Sequence, residues 1–82
     1  MIIVEVYVPC LDKTYEFKLN EDVIVAVATE EIVSVICQKE QYKPFESRSK
    51  FLLYNTAIER QLSVSLSFFE NGVCMGDKLI LV

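Results

Sequence analysis

The chain has 82 residues, of which 52% are hydrophobic and 24% charged, and its formal net charge is −4. This length fits one domain, and the apolar content excludes a disordered chain. The negative charge argues against binding to nucleic acid, which needs a basic face to neutralise phosphates. The chain has no histidine, the commonest general base and metal ligand, so composition disfavours most enzymes and metal proteins.

The apolar segments are too short to cross a membrane. Residues 1–5 lack the basic residues of a signal peptide. The longest uninterrupted apolar run, residues 23–28, has six residues, whereas a span needs roughly 20. The three cysteines have no CxxC spacing, which predicts reduced thiols. We therefore expect a cytoplasmic protein that does not insert into a membrane.

The N-terminal segment has the alternation of a β-hairpin. Residues 2–8 predict a half-buried strand, whose inward side chains are Ile2, Val4, Val6 and Val8. Pro9 ends this strand because proline cannot donate to a ladder. After a loop at residues 10–13, residues 14–19 alternate again, with inward Tyr15, Phe17 and Leu19. Two such runs around a short loop predict an antiparallel pair.

The period then changes to that of a helix over about residues 23–41. Asn20 and Asp22 are candidate N-cap residues, and Pro44 helps to end the helix. Residues 23–27 are rich in β-branched side chains and also suit a strand, but the later spacing and the length favour a helix. The predicted inward face consists of Ile24, Val25, Ala28, Ile32, Val35 and Ile36.

The rest of the chain reads as short strands and turns. Residues 42–50 are polar and predict a loop, whereas 51–55 are mostly apolar and predict a central strand. Residues 61–62 suit a two-residue strand. Gly76 and Asp77 predict a turn into a last strand at 78–82.

One segment allows two interpretations. Residues 64–68 alternate like a strand, but Ser67 and Glu70 have the spacing of a capping box and Gly72 suits a helix stop. We prefer a short helical turn near residues 68–71.

These elements predict an α+β protein, a ubiquitin-like β-grasp in a single domain covering residues 1–82. Once the helix has crossed over, the last strand can pair beside the first. The result is a mixed four- to five-stranded sheet with one long helix across one face, joined by a right-handed crossover.

Three segments carry a resemblance to a known family. They are the opening IIVEVYVP at residues 2–9, the helix at 30–40, and the ending formed by Leu66, Gly72-Val73 and GDKLIL at 76–81. In these segments the chain resembles the YukD/EsaB family of bacterial ubiquitin-like proteins. The resemblance implies a cytoplasmic accessory or regulatory component of a type VII (WXG-type, ESX-like) secretion system. Its partners would be proteins, including membrane components of that machine.

The sequence predicts no catalytic, cofactor-binding or metal-ligating residues. Cys10 has no histidine to activate it, and Glu30 and Glu31 point apart on a helix. Ubiquitin-like modifiers and sulfur carriers act through a C-terminal Gly-Gly, whereas this chain ends in residues 79–82, LILV. A covalent modifier or carrier made from a longer precursor remains the alternative to a noncovalent interaction module.

Two surfaces are candidates for partner binding. On the helix, Val23, Ala26, Val27, Val33 and Cys37 lie outside the inward stripe, unless residues 42–50 or 56–66 cover them. On the outer sheet face, aromatic and aliphatic side chains lie among charges. A basic cluster at Lys39, Lys43, Arg48 and Lys50 is interpreted as ordinary solubility, and self-association stays open. The predicted partner-binding residues are Ile3, Tyr7, Val23, Val27, Val33 and Tyr54.

Overall fold

The chain folds into a mixed β-sheet with one helix across it, as described by a computed structural model for residues 1–9, 11–40 and 51–82. The sheet has five strands in the order β2-β1-β5-β3-β4. β1 pairs parallel with β5, and the other pairs are antiparallel. The α+β architecture predicted from the sequence is confirmed. The elements in chain order are β1 (Ile2–Val8), β2 (Lys13–Leu19), α1 (Val25–Glu40), β3 (Leu53–Asn55), β4 (Arg60–Gln61) and β5 (Lys78–Leu81).

The predicted hairpin is confirmed, with β2 beginning one residue earlier than expected. Val4 and Val6 are fully buried under the helix, and each lies opposite an aromatic residue of β2, Phe17 and Tyr15 respectively. The inner face of β2 is only partly buried, because β2 is an edge strand of the sheet. The alternation in the sequence therefore correctly predicted both strands and the side chains that face inward.

The helix begins at Val25, and the prediction that Asn20 or Asp22 caps it is wrong. The Asn20 side chain instead accepts a bond from the backbone N–H of Asp22. Ile24, whose side chain has no acceptor, occupies the N-cap position, since its carbonyl accepts the N–H of Ala28. The first free N–H groups of the helix, at Val25 and Ala26, donate to the carbonyls of Leu66 and Val64. The cap is thus supplied by a distant segment.

The buried face of α1 is narrower than predicted. Val25, Ala28, Ile32 and Ile36 lie in the core as expected, but the prediction that Ile24 and Val35 face inward is wrong, because they are 45% and 38% exposed. Thr29 takes an inward position and is buried. Its hydroxyl donates to the carbonyl of Val25 at 2.7 Å, so a polar residue is tolerated there.

The second half of the chain closes the core with short elements. β3 and β5 are shorter than predicted, and β4 lies one residue earlier, at Arg60–Gln61 rather than 61–62. Leu62 is therefore not in a strand but is buried in the core. It still contacts β3, since its N–H donates to the carbonyl of Leu53.

The predicted capping box forms. The Ser67 hydroxyl accepts the N–H of Glu70, and the Glu70 carboxylate accepts the N–H of Ser67, both at 3.0 Å. Gly72 has φ 76°. The N–H groups of Gly72 and Val73 donate to the carbonyls of Phe69 and Phe68, which is the pattern of a Schellman motif. Residues 68–72 form one hydrogen-bonded turn that places Phe68 in the core.

Some predictions concern parts of the chain outside the described residues. They are the loop at 42–50, Cys10, Gln41 at the predicted helix end, and Lys43, Arg48 and Lys50 of the basic cluster.

Candidate protein-interaction surfaces

The outer face of the sheet carries a row of half-buried apolar side chains across its three middle strands. Tyr7 of β1 lies opposite Ile80 of β5, and Ile80 lies opposite Tyr54 of β3. Residues directly opposite each other place their side chains side by side on one face. We call Tyr7, Ile80 and Tyr54 the outer band. All three are partly exposed, whereas their strand neighbours Leu79 and Leu53 are fully buried.

The outer band is extended on one side and bounded by charge on the other. Leu52 and Val82 exchange two backbone hydrogen bonds of 2.9 Å, so they form the next apolar pair. On the opposite side, Glu5 lies between Glu16 and Lys78 in the register. This charged row separates the band from Ile3, which lies opposite Lys18 and is 38% exposed. The structure therefore brings Tyr7 and Tyr54 together and leaves Ile3 apart from them.

A hydrogen bond orients the Tyr7 side chain. Its hydroxyl donates to Oδ1 of Asp12 at 2.9 Å, and Asp12 sits in the hairpin loop with φ 51°. This bond to a carboxylate holds the pKa of Tyr7 above its ordinary value. The bond thus joins the outer end of Tyr7 to the hairpin loop.

A buried amide joins the two strands that carry the rest of the band. Asn55 is fully buried, and its Nδ2 donates to Oδ2 of Asp77 at 3.0 Å while its Oδ1 accepts the N–H of Ala57 at 2.9 Å. The same Asp77 oxygen accepts the N–H of Cys74 at 2.9 Å. The network ties the end of β3 to the turn before β5. It thereby sets Tyr54 beside Ile80.

The helix supplies fewer exposed candidates than the sequence suggested. Val23, Val33 and Cys37 are partly buried and pack against the core, whereas Ala26 is exposed and Val27 is 52% exposed. Their role in partner binding remains a prediction, and Val27 is the member whose side chain a partner reaches most readily.

Several exposed apolar residues near the start of α1 were missed by the sequence analysis. They are Ile24, Leu66 and Phe69. Ile24 was expected to face inward, and the alternation of residues 64–68 places Leu66 on the same side as Phe68, which is fully buried. The one available signal was the capping box, which fixes Ser67 and Phe68 as inward and so turns Phe69 outward. Ile80 was also overlooked, although alternation with Leu79 and Leu81 in the last strand marks it as outward.

The ammonium groups of Met1 and Lys39 have defined partners. The N-terminal ammonium of Met1 donates to Oε1 of Glu21 at 2.9 Å, and this bond lowers the pKa of the Glu21 carboxyl. The Lys39 ammonium lies over the Tyr15 ring, 5.9 Å from its centroid. Lys39 belonged to the predicted basic cluster, whose other members lie outside the described residues.

Two negative findings apply to the described part of the chain. None of its helices combines the length and hydropathy needed to cross a bilayer. Within the same residues, no three His, Cys, Asp or Glu side chains come together where they could hold a metal ion.

Comparison with known proteins connects the chain to others through its fold. No protein-family model matches it, and no curated protein does. Among solved structures, the EccD5 ubiquitin-like domain from Mycobacterium xenopi has a TM-score of 0.78 at 20% identity, covering 99% of this chain and 91% of that one. The ubiquitin-like domain of the Mycobacterium tuberculosis type VII secretion system protein ECCD1 has a TM-score of 0.72 at 18% identity, covering 100% and 99%.

A third likeness comes from a large assembly. A chain of the MycP5-free ESX-5 inner membrane complex matches with a TM-score of 0.78 at 20% identity, and the match covers 99% of this chain and 20% of that one. At these identities the likenesses establish the fold. The chain has the ubiquitin-like β-grasp fold.

Proposed function

We propose that this domain is a noncovalent protein-interaction module, an accessory or regulatory component of a type VII (WXG-type, ESX-like) secretion system. It acts on the cytoplasmic side, and its partners are protein components of the machine, including membrane components. The observation that carries the proposal is the outer band, presented on a fold that ubiquitin-like domains of type VII secretion proteins share.

The chemistry of the outer band suits a protein partner. Tyrosine supplies a large contact area at a small cost in conformational entropy, and aromatic side chains are enriched at interface centres. The strands that carry the band also carry charges of both signs at its edge, including Glu5 and Lys78. An apolar centre with a mixed polar rim is the usual anatomy of a transient interface. We propose accordingly that the domain binds and does not catalyse.

The test is affinity capture from the native cells with the full-length protein. Tyr54→Glu and Ile80→Glu place a charge in the outer band, and we expect both to lose secretion-machine components that the wild type captures. Ile58→Glu is the matched control, because Ile58 is an equally apolar, 42% exposed residue in the turn between β3 and β4. Circular dichroism checks that all three variants fold.

Two outcomes would contradict the proposal. Equal capture by wild type and both band variants would remove the outer band as the docking surface. A conjugate or thiocarboxylate found by intact-mass analysis of the captured protein would support the covalent modifier or sulfur carrier instead.

A further inference from the structure

We propose that a second surface, at the start of α1, docks a basic amphipathic segment of a partner protein. The inference rests on the proposed function, since it assumes that the domain works by binding proteins. It concerns a different face from the outer band and is tested separately. The helix-end surface consists of apolar Ile24, Val27, Leu66 and Phe69 together with acidic Asp22, Glu31 and Glu70.

Backbone contacts hold the two segments of this surface together. Ile24 forms an isolated antiparallel bridge with Ser67, and the carbonyl of Leu66 accepts the N–H of Val25. The N–H of Phe69 donates to the carbonyl of Glu21 at 2.9 Å. The entry to the helix and the turn at residues 66–69 are therefore direct neighbours, although they are more than 40 residues apart in sequence.

The apolar side chains are held outward by this geometry. The capping box of Ser67 and Glu70 fixes the turn, so that Phe68 is fully buried while the adjacent Phe69 is 71% exposed. On the helix, Val27 lies three residues after Ile24 and therefore on the same face; they are 52% and 45% exposed. The surface therefore presents a phenylalanine from the hydrogen-bonded turn and two branched side chains from the start of the helix.

The charged side chains of the two segments that form this surface have one sign. Residues 19–38 and 61–77 contain no lysine or arginine. Glu31 lies one helical turn after Val27 on the same face, and Glu70 adjoins Phe69. Glu21 is neutralised by the Met1 ammonium. The nearest lysine along the helix, Lys39, is about 18 Å beyond Val27 at 1.5 Å per residue.

The negative charge of this surface indicates which kind of partner can bind to it. A second copy docked about a two-fold axis would place the acidic groups against their own equivalents, which is unfavourable. Anionic lipid headgroups and nucleic acid are repelled for the same reason. A basic amphipathic helix fits both features, because its apolar side packs on Phe69 and Val27 while its lysines or arginines approach Glu31 and Glu70.

The experiment uses a synthetic amphipathic peptide of leucine and lysine as the probe, and the same peptide with glutamate in place of lysine as its control. NMR titration of the isotope-labelled protein should shift resonances of residues 21–31 and 64–70. Fluorescence anisotropy should show that Phe69→Ser and Glu31→Lys each raise the Kd at least about tenfold. The matched variants Ile58→Ser and Glu16→Lys should stay within about twofold of the wild type.

Three results would overturn the inference: an equal loss in Glu16→Lys and Glu31→Lys, shifts confined to the sheet, or no preference for the lysine peptide. Because Glu16→Lys changes the net charge as much as Glu31→Lys does, it separates a specific surface from general attraction to an acidic protein. If the peptide test fails while Tyr54→Glu still loses its native partners, this inference is refuted and the proposed function stands. If Tyr54→Glu and Ile80→Glu also capture these partners normally, both proposals fail.

Discussion

Replacing Asn55 by alanine should lower the free energy of unfolding substantially, because this one buried side chain makes two hydrogen bonds. The substitution removes a hydrogen bond to the Asp77 carboxylate and another from the Ala57 N–H, at a fully buried position. A bond to a charged group contributes about 1.5–3 kcal/mol and a neutral one about 0.5–1.5 kcal/mol. We therefore expect a loss of about 3 kcal/mol. A domain of this size has a total stability of roughly 4–12 kcal/mol at 0.05–0.15 kcal/mol per residue.

The loss is measured by urea unfolding followed by circular dichroism, with thermal unfolding as a second reading. At about 4–8 °C per kcal/mol for a domain of this size, the Tm should fall by roughly 12–24 °C. Thr56→Ala is the control, since the Thr56 hydroxyl donates to the carbonyl of Lys78 at an exposed site, where the loss should stay near about 0.5 kcal/mol. If Asn55→Ala costs no more than Thr56→Ala, the network does not hold β3 against β5 as described.

Three further predictions concern the turn at residues 68–72 and the hairpin loop. Ser67→Ala removes one bond of the capping box and should lower the free energy of unfolding by about 1 kcal/mol in a urea titration. Glu70→Gln keeps an acceptor for the Ser67 N–H and should lower it by less; an equal or larger loss in Glu70→Gln would contradict this prediction. Gly72→Ala should cost about 1–2 kcal/mol, because φ is 76° there although a Cβ would meet no atom; an unchanged midpoint would show that the turn relaxes. Asp12→Asn should lower the pKa of Tyr7, followed by tyrosine-selective NMR. Because the pKa of Tyr7 is raised in the folded state, the bond stabilises the fold at pH values below the pKa of an unfolded tyrosine. This stabilisation is lost as the pH rises through the pKa of Tyr7 in the folded state. An unchanged Tyr7 pKa in Asp12→Asn would contradict the bond.

The strands were predictable because their information is local. The alternation of Val4 and Val6 with Glu5 and Tyr7 states both the strand and its buried face, and a one-residue slip would expose the entire inner set. The start of α1 was not predictable in this way. The carbonyls of Leu66 and Val64 cap α1, and a side-chain rule for Asn20 or Asp22 cannot anticipate an acceptor that arrives from distant sequence.

The candidate surfaces also combine features that local sequence patterns predict with features that depend on contacts between distant segments. Tyr7 was recognised as outward from alternation and Tyr54 was a candidate for the outer face, but the register that joins them through Ile80 depends on the pairing of three strands from both ends of the chain. Val23 and Val33 were placed towards the polar face, yet they pack at the border of the core. Phe69 was not among the predicted surface residues, because the single turn closed by Ser67 and Glu70 determines its direction.

Photo-crosslinking in the native cells tests the central claim most directly. A photoreactive phenylalanine analogue replaces Tyr54 in the outer band or, as the control, Ile58 in the neighbouring turn. The account predicts that position 54 crosslinks to a component of a type VII secretion machine and that position 58 does not. Equal crosslinking from the two positions, or crosslinking from neither, would contradict the claim that the outer band is the docking surface of an interaction module.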